Sequence, residues 1–309
     1  MQRALGLEYW RGSAFIVAAT ALAVSTVCMA APLAVSTAPK SGDSFRDCAA
    51  CPEMVVIPAG SFVMGSPESE AMRDPDEGQH RVSFAQPFAV SKFPITWDEW
   101  QACVSDNVCA GRDVEVSLRT GLDGKWIKDY VDHGRGRHPV VGVSWYDALV
   151  FSGWLNRKAG AEEYRLVTEA EFEYAARAGT TSAFTWGETP DHDYANFGKD
   201  EGLGGATGGR DIWLNSTSPV GSFPPNAFGL YDMLGNVYQW VEDCYEAKAA
   251  LLPTDGTAVK SGNCAVRVMR STSFMSNPHT LRSANRAGQY PPSLRGRNYL
   301  GFRVAKTLP

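Results

Sequence analysis

Histidine is scarce in this chain: five residues in 309 leave little room for imidazole-based metal chemistry. A basic surplus is missing as well. The formal net charge is −5, with lysines and arginines scattered, so the electrostatic footprint of a nucleic-acid binder is absent. No apolar run of spanning length follows residue 27, which excludes an internal transmembrane helix. Neither a fixed-period repeat nor a second domain boundary is visible. What is plentiful points elsewhere: thirty glycines, eighteen prolines and nine tryptophans imply many turns pinned by large aromatics, with few long helices.

The first thirty residues have a basic start at Arg3 and Arg11, an unbroken small and apolar run over 14–27, and then Cys28-Met29-Ala30-Ala31-Pro32. That is the pattern of a secretory signal peptide over residues 1–30, since the run is short for a hydrocarbon core of ~30 Å, with an uncleaved N-terminal anchor as the alternative. Val27 is not the small residue that an acylated lipoprotein cysteine needs before it. Residues 31–47, rich in Ala, Pro, Ser and Thr, read as a flexible leader, and residues 48–309 as one mature domain. The expected location is the periplasm or the outside of the cell, with no membrane attachment after cleavage.

Six cysteines remain in the mature chain, an even number that suits an oxidising compartment. Their spacing suggests three local pairs, Cys48 with Cys51, Cys103 with Cys109, and Cys244 with Cys264, although spacing alone does not fix connectivity. Closing the loop from Cys244 to Cys264 is worth roughly 3 kcal/mol in the chain-entropy view. Cys48-Ala49-Ala50-Cys51 also has redox spacing, but no thioredoxin-like strand and helix pattern surrounds it, which favours a staple.

Along the chain, MVVIPAGSFVMG reads as two strands around Pro58-Ala59-Gly60, and residues 66–80 as an exposed polar loop. RVSFA and FAVSKFPIT supply two more strand-like pieces. Thr96 with Glu99, and Thr168 with Glu171, have capping-box spacing, and Ser144 can cap a helix over 146–158. Arg165-Leu166-Val167 is a short strand, and Gly179 a C-cap. After Trp186-Gly187 periodic patterns vanish until Arg267, so residues 220–243 read as a shaped loop scaffold rich in Gly and aromatics.

Taken in order, MVVIPAGSFVMGS, FPITWDEW, HPVVGVSWYDALVFSGWLN, YRLVTEAEFEYAARAG, FTWG, GLYDMLGNVYQWVED and LGFRVAK resemble the sulfatase-modifying-factor family of formylglycine-generating enzymes. The resemblance implies an α+β domain of the C-type-lectin-like kind, low in regular secondary structure and braced by calcium. It also implies sites. One calcium site falls on Gly235, Asn236, Val237 and Gln239, where Gln239 replaces a carboxylate and weakens the site. Asn196 and Phe197 match the start of a second, and Trp240 matches an active-site tryptophan.

The family's copper-binding cysteines do not carry over. Within STSFMSNPHTL, Ser276 stands at the first and Leu281 at the second, and neither offers the soft thiolate that Cu(I) needs. Copper is therefore not expected. Ser273, Ser276, Trp240 and Arg286 remain candidate catalytic residues, with His279 and Arg282 nearby. A nucleophilic serine hydrolase is excluded by the lack of a glycine elbow around Ser276. The function expected is an exported maturation factor or oxidase-like protein acting on a peptide or protein. The alternative is a lectin-like module that binds peptide or glycan without chemistry.

Overall fold

The structure, a computed structural model, describes residues 40–110, 117–120, 126–128, 134–199 and 204–308. The expected signal peptide and residues 31–39 of the expected leader lie outside the described residues. In chain order the elements are β1 (Ser44–Phe45), β2 (Met54–Ile57), β3 (Gly60–Met64), β4 (His80–Phe84), β5 (Phe88–Ser91), α1 (Trp97–Ser105), β6 (Ser117–Thr120), β7 (Trp126–Lys128), α2 (Trp145–Ala159), β8 (Tyr164–Leu166), α3 (Glu169–Arg177), β9 (Tyr238–Tyr245), β10 (Asn263–Arg270), β11 (Ala287–Tyr290), β12 (Leu300–Phe302) and β13 (Val304–Thr307). Short 3-10 turns lie at Ala249–Leu251 and Pro278–Leu281.

Two sheets organise the domain. One has the order β1-β2-β5-β13-β8 and the other β11-β10-β9-β12, while β3-β4 and β6-β7 are separate hairpins. β2 and β5 are apolar at successive positions because both faces of their sheet are covered. Their period of two sorts the side chains: Met54 and Ala89 join the core around α1 and α2, whereas Val55, Ile57, Phe88 and Val90 join the core around α3. In the first core, Trp100, Phe151 and Phe302 meet with ring centroids 5.5 to 6.3 Å apart.

The capping readings hold in detail. Thr96, Ser144 and Thr168 each accept from the backbone three residues on, and Glu99, Asp147 and Glu171 each answer the cap's own N–H. The C-cap of α3 is Ala178 at φ 45°, one residue before the expected Gly179. All three cysteine pairs form as spacing suggested, Cys48–Cys51, Cys103–Cys109 and Cys244–Cys264. Cys51 is fully buried in the core, as suits a staple.

Three expectations need correction. Residues 40–47 of the leader belong to the domain: β1 pairs with β2, and Asp47 receives hydrogen bonds from Tyr164 and Lys306, both at 2.7 Å. The 66–80 loop is not simply exposed, because Ser66 and Glu77 are buried, where Glu77 meets Arg282. The end of the supposed loop scaffold is β9, at the centre of its sheet, which also contradicts a loop reading of 238–243. Its residues alternate too little between apolar and polar to show a period of two, because the strand is covered on both faces.

Candidate functional site

Three segments converge where β10 ends. Ser271, at φ 69°, turns the chain out of the strand, and its hydroxyl accepts the Gly235 N–H at 3.1 Å. Phe274 N–H then bonds to Asn236 O at 3.0 Å, and Asn236 N–H to Asn196 O at 2.8 Å. The approach is close enough to demand glycine at position 235, where a Cβ would lie 2.7 Å from Asn196 O. Gly198 N–H bonds to Ser276 O at 2.8 Å, completing the knot.

Within it lies a chain of hydroxyls. Ser273 Oγ and Ser276 Oγ are 2.7 Å apart, and Ser276 Oγ donates to Tyr238 Oη at 2.9 Å. Thr280 Oγ1 donates to Asn277 O, so in the 2.8 Å contact between Thr272 Oγ1 and Thr280 Oγ1 the Thr280 hydroxyl accepts. Ser273 and Ser276 are buried, while Tyr238 and Thr280 are half-buried and form the less buried edge of the cluster. Because Tyr238 Oη accepts from Ser276, its own proton is left for a group outside the cluster. The Tyr299 ring packs edge-on against Tyr238 at 5.8 Å, and burial pushes the Tyr299 phenol up to about 12, keeping it protonated.

The other expected residues stand apart from this cluster. Trp240 is fully buried in the core and donates to Val143 O at 3.0 Å, so its ring has no free face for a ligand. Arg286 is sequestered: Nε and Nη2 clamp the two Glu169 oxygens at 2.7 and 2.9 Å, and Nη1 reaches the carbonyls of Asp76 and Glu246. Arg282 grips Glu77 with two bonds of 2.7 Å and Glu70 with a third. A helical face shared by Arg282 and Arg286 is not formed, because the 3-10 turn stops at Leu281. Leu281 itself is fully buried.

Every described cysteine lies in a disulfide. With Ser276 and Leu281 at the two remaining positions, the residues present do not fit a copper–thiolate centre.

The first calcium set is also poorly suited. Asn236 Oδ1 accepts from Ser218 N–H at 2.9 Å, while Gln239 Oε1 accepts from Arg303 Nε at 2.7 Å. A guanidinium, fully buried, thus satisfies the oxygen that a cation would want, and Arg303 also donates to the carbonyls of Ser91, Tyr231 and Asp232. The second set is better. Asn196 is fully buried with Nδ2 bonded to Ser216 O, yet its Oδ1 has no hydrogen-bond partner. Beside it, Phe197 N–H donates to the Asp211 carboxylate, whose pKa burial raises and which His192 faces at 3.1 Å. Asn196 Oδ1 is thus a hard oxygen of the kind calcium takes, whereas the Asp211 oxygens are already met by His192 and the Trp213 N–H.

With this geometry in place, comparison with known proteins is direct. Residues 40–308 match the sulfatase-modifying factor enzyme 1-like domain. The chain belongs to this family. It is 36% identical over 301 residues to the formylglycine-generating enzyme of Streptomyces coelicolor, covering 81% of this chain and 88% of that protein. It is 30% identical over 270 residues to the serine/threonine-protein kinase pkn1 of Chlamydia caviae, but spans only 38% of that protein, and kinase activity is not carried over. The solved structure of PvdO from Pseudomonas aeruginosa superposes with a TM-score of 0.74 at 41% identity, covering 88% of this chain and 100% of the other. Treponema denticola variable protein 1, at TM-score 0.64 and 23% identity, shares the fold. The α+β family fold is thereby established.

Tyr238 and Asp211 were not singled out in the sequence. Tyr238 had a signal, as the aromatic beside Gln239 in GNVYQW. Asp211 had none, because it sits in a Gly-rich stretch without period.

Proposed function

We propose that this protein is an exported maturation factor that takes a peptide or protein substrate at the Ser273–Ser276–Tyr238 hydroxyl chain, without copper. The observation that carries the reading is that Ser276, at the first thiol position, belongs to a buried, hydrogen-bonded hydroxyl relay while buried Leu281 fills the second, in a chain whose described cysteines are all oxidised. Three disulfides also favour an oxidising compartment such as the periplasm.

The relay has a direction. Ser273 can donate to Ser276, and Ser276 donates to Tyr238, so Tyr238 is disposed to donate its proton to a substrate carbonyl or to return one through Ser276. Such a chain orients polar groups and moves protons; it cannot carry an electron pair to oxygen. Calcium taken by Asn196 Oδ1 would brace the segment that bonds to Ser276 through Gly198.

The test uses a panel of synthetic peptides, a cysteine-containing sulfatase-type sequence among them, scored by mass spectrometry for covalent change. The native protein is expected to change one of them, and Ser276→Ala or Tyr238→Phe to slow the reaction by about 10²-fold with unaltered thermal stability. A reaction that both variants run at the native rate would remove the site from this cluster. Saturable binding with no change would favour the lectin-like peptide- or glycan-binding reading.

A further inference from the structure

The β3-β4 hairpin has two unlike faces. Val63 and Arg81 stand opposite each other across its two strands and are exposed, whereas Phe62 is half-buried against Tyr174 of α3, with ring centroids 5.3 Å apart. Phe228, also half-buried, meets the same tyrosine edge-on at 5.7 Å. These residues line a cavity of about 380 Å³, a size that suits a small ligand.

The charge of this cavity has one sign. No aspartate or glutamate lines it among the described residues, but two arginines do. Arg177 is spent within the fold: Nε meets Glu173 at 2.9 Å, while Nη1 and Nη2 donate to the carbonyls of Ser182 and Gly65. Arg81 donates to the Ser61 hydroxyl and has no carboxylate partner among the described residues. In a chain of net charge −5, it is a local cation without its counter-ion.

A second donor lies in the same wall. Tyr174 is only 7% exposed, yet its Oη has no hydrogen-bond partner among the described residues, a costly state for a buried hydroxyl unless an acceptor reaches it from the cavity. Burial raises its pKa, so the phenol keeps its proton. Position 60 leaves it room. A Cβ there would lie 2.5 Å from Tyr174 Oη, and glycine has none.

We infer that this cavity binds a small aryl carboxylate, whose carboxylate is taken by the Arg81 guanidinium and the Tyr174 phenol and whose ring packs on Phe62 and Phe228. Guanidinium and phenol are both donors, so the ligand must bring the acceptors, and the arginine fork matches the two oxygens of a carboxylate. The half-buried rings favour a flat apolar body in offset or edge-on contact. The site is separate from the hydroxyl chain and depends neither on a peptide substrate nor on any turnover.

The probe is naphthylacetate, titrated calorimetrically into the folded mature protein, with naphthylacetamide and acetate as controls. The aryl acid is expected to bind saturably, its amide about tenfold more weakly, and acetate without saturation. Arg81→Gln, at an exposed position, should lower the acid to the affinity of the amide. Tyr174→Phe keeps the ring and should weaken the acid about fivefold. Tyr238→Phe should leave the titration unchanged, because that phenol belongs to the other site. Acid and amide binding equally well, or an acid affinity that neither Arg81→Gln nor Tyr174→Phe lowers, would overturn the inference. So would the lack of saturable binding up to the solubility of the acid.

Discussion

Glu169→Gln is expected to cost about 3 to 5 kcal/mol of folding stability, read from urea unfolding at neutral pH. Glu169 opens α3, every residue of which is buried. Its carboxylate receives Arg286 at 2.7 and 2.9 Å and Arg270 at 3.1 Å, and both arginine side chains are almost wholly out of solvent. Glutamine fills the same space but leaves two buried guanidiniums sharing one neutral oxygen. Arg270 keeps Glu173, at 2.7 Å, while Arg286 keeps only carbonyls and the distant edge of Asp76. The double change Glu169→Gln with Arg286→Met should therefore recover part of the loss, as apolar replacement of both partners of a buried pair often does. A loss below about 1 kcal/mol in the single variant would mean that water reaches this lattice and screens it.

Arg303→Met should cost about 4 kcal/mol, because it strips donors from Gln239 Oε1, from the buried carbonyls of Ser91 and Asp232 and from the half-buried Tyr231 carbonyl at once. Arg303→Lys is expected to recover little. A lysine ammonium is a point charge, and the fork that spans Ser91, Tyr231, Asp232 and Gln239 needs separated nitrogens. The unfolding midpoint of each variant checks this. If the Arg303→Lys variant proved nearly as stable as the native protein, the guanidinium geometry would not be what joins β9 to the turn at 231–232.

These two residues also show where the sequence was silent. The capping boxes at Thr96 and Thr168 and the close cysteine pairs were legible, because each is settled by neighbours within a turn or a short loop. Glu169, Glu173 and Arg177 looked like an ordinary charged helix. The Arg270 partner of Glu169 and Glu173 lies about a hundred residues away in sequence, and a local pattern cannot show that a charge is internal. Arg286 illustrates the same limit: a candidate for gripping substrate is held by the fold itself. The candidate site was legible in part, since Ser273 and Ser276 do meet. Tyr238, which extends their hydroxyl chain, required β9 to be recognised as a strand beside β10.

The copper-free hydroxyl site is tested most directly by metal analysis of the purified mature protein, together with oxygen uptake on a cysteine-containing sulfatase-type peptide. Calcium without copper, and no peptide-dependent uptake, is the predicted result. Stoichiometric copper with peptide-dependent uptake would contradict it, and would place an oxidase centre in a chain whose described cysteines are all in disulfides.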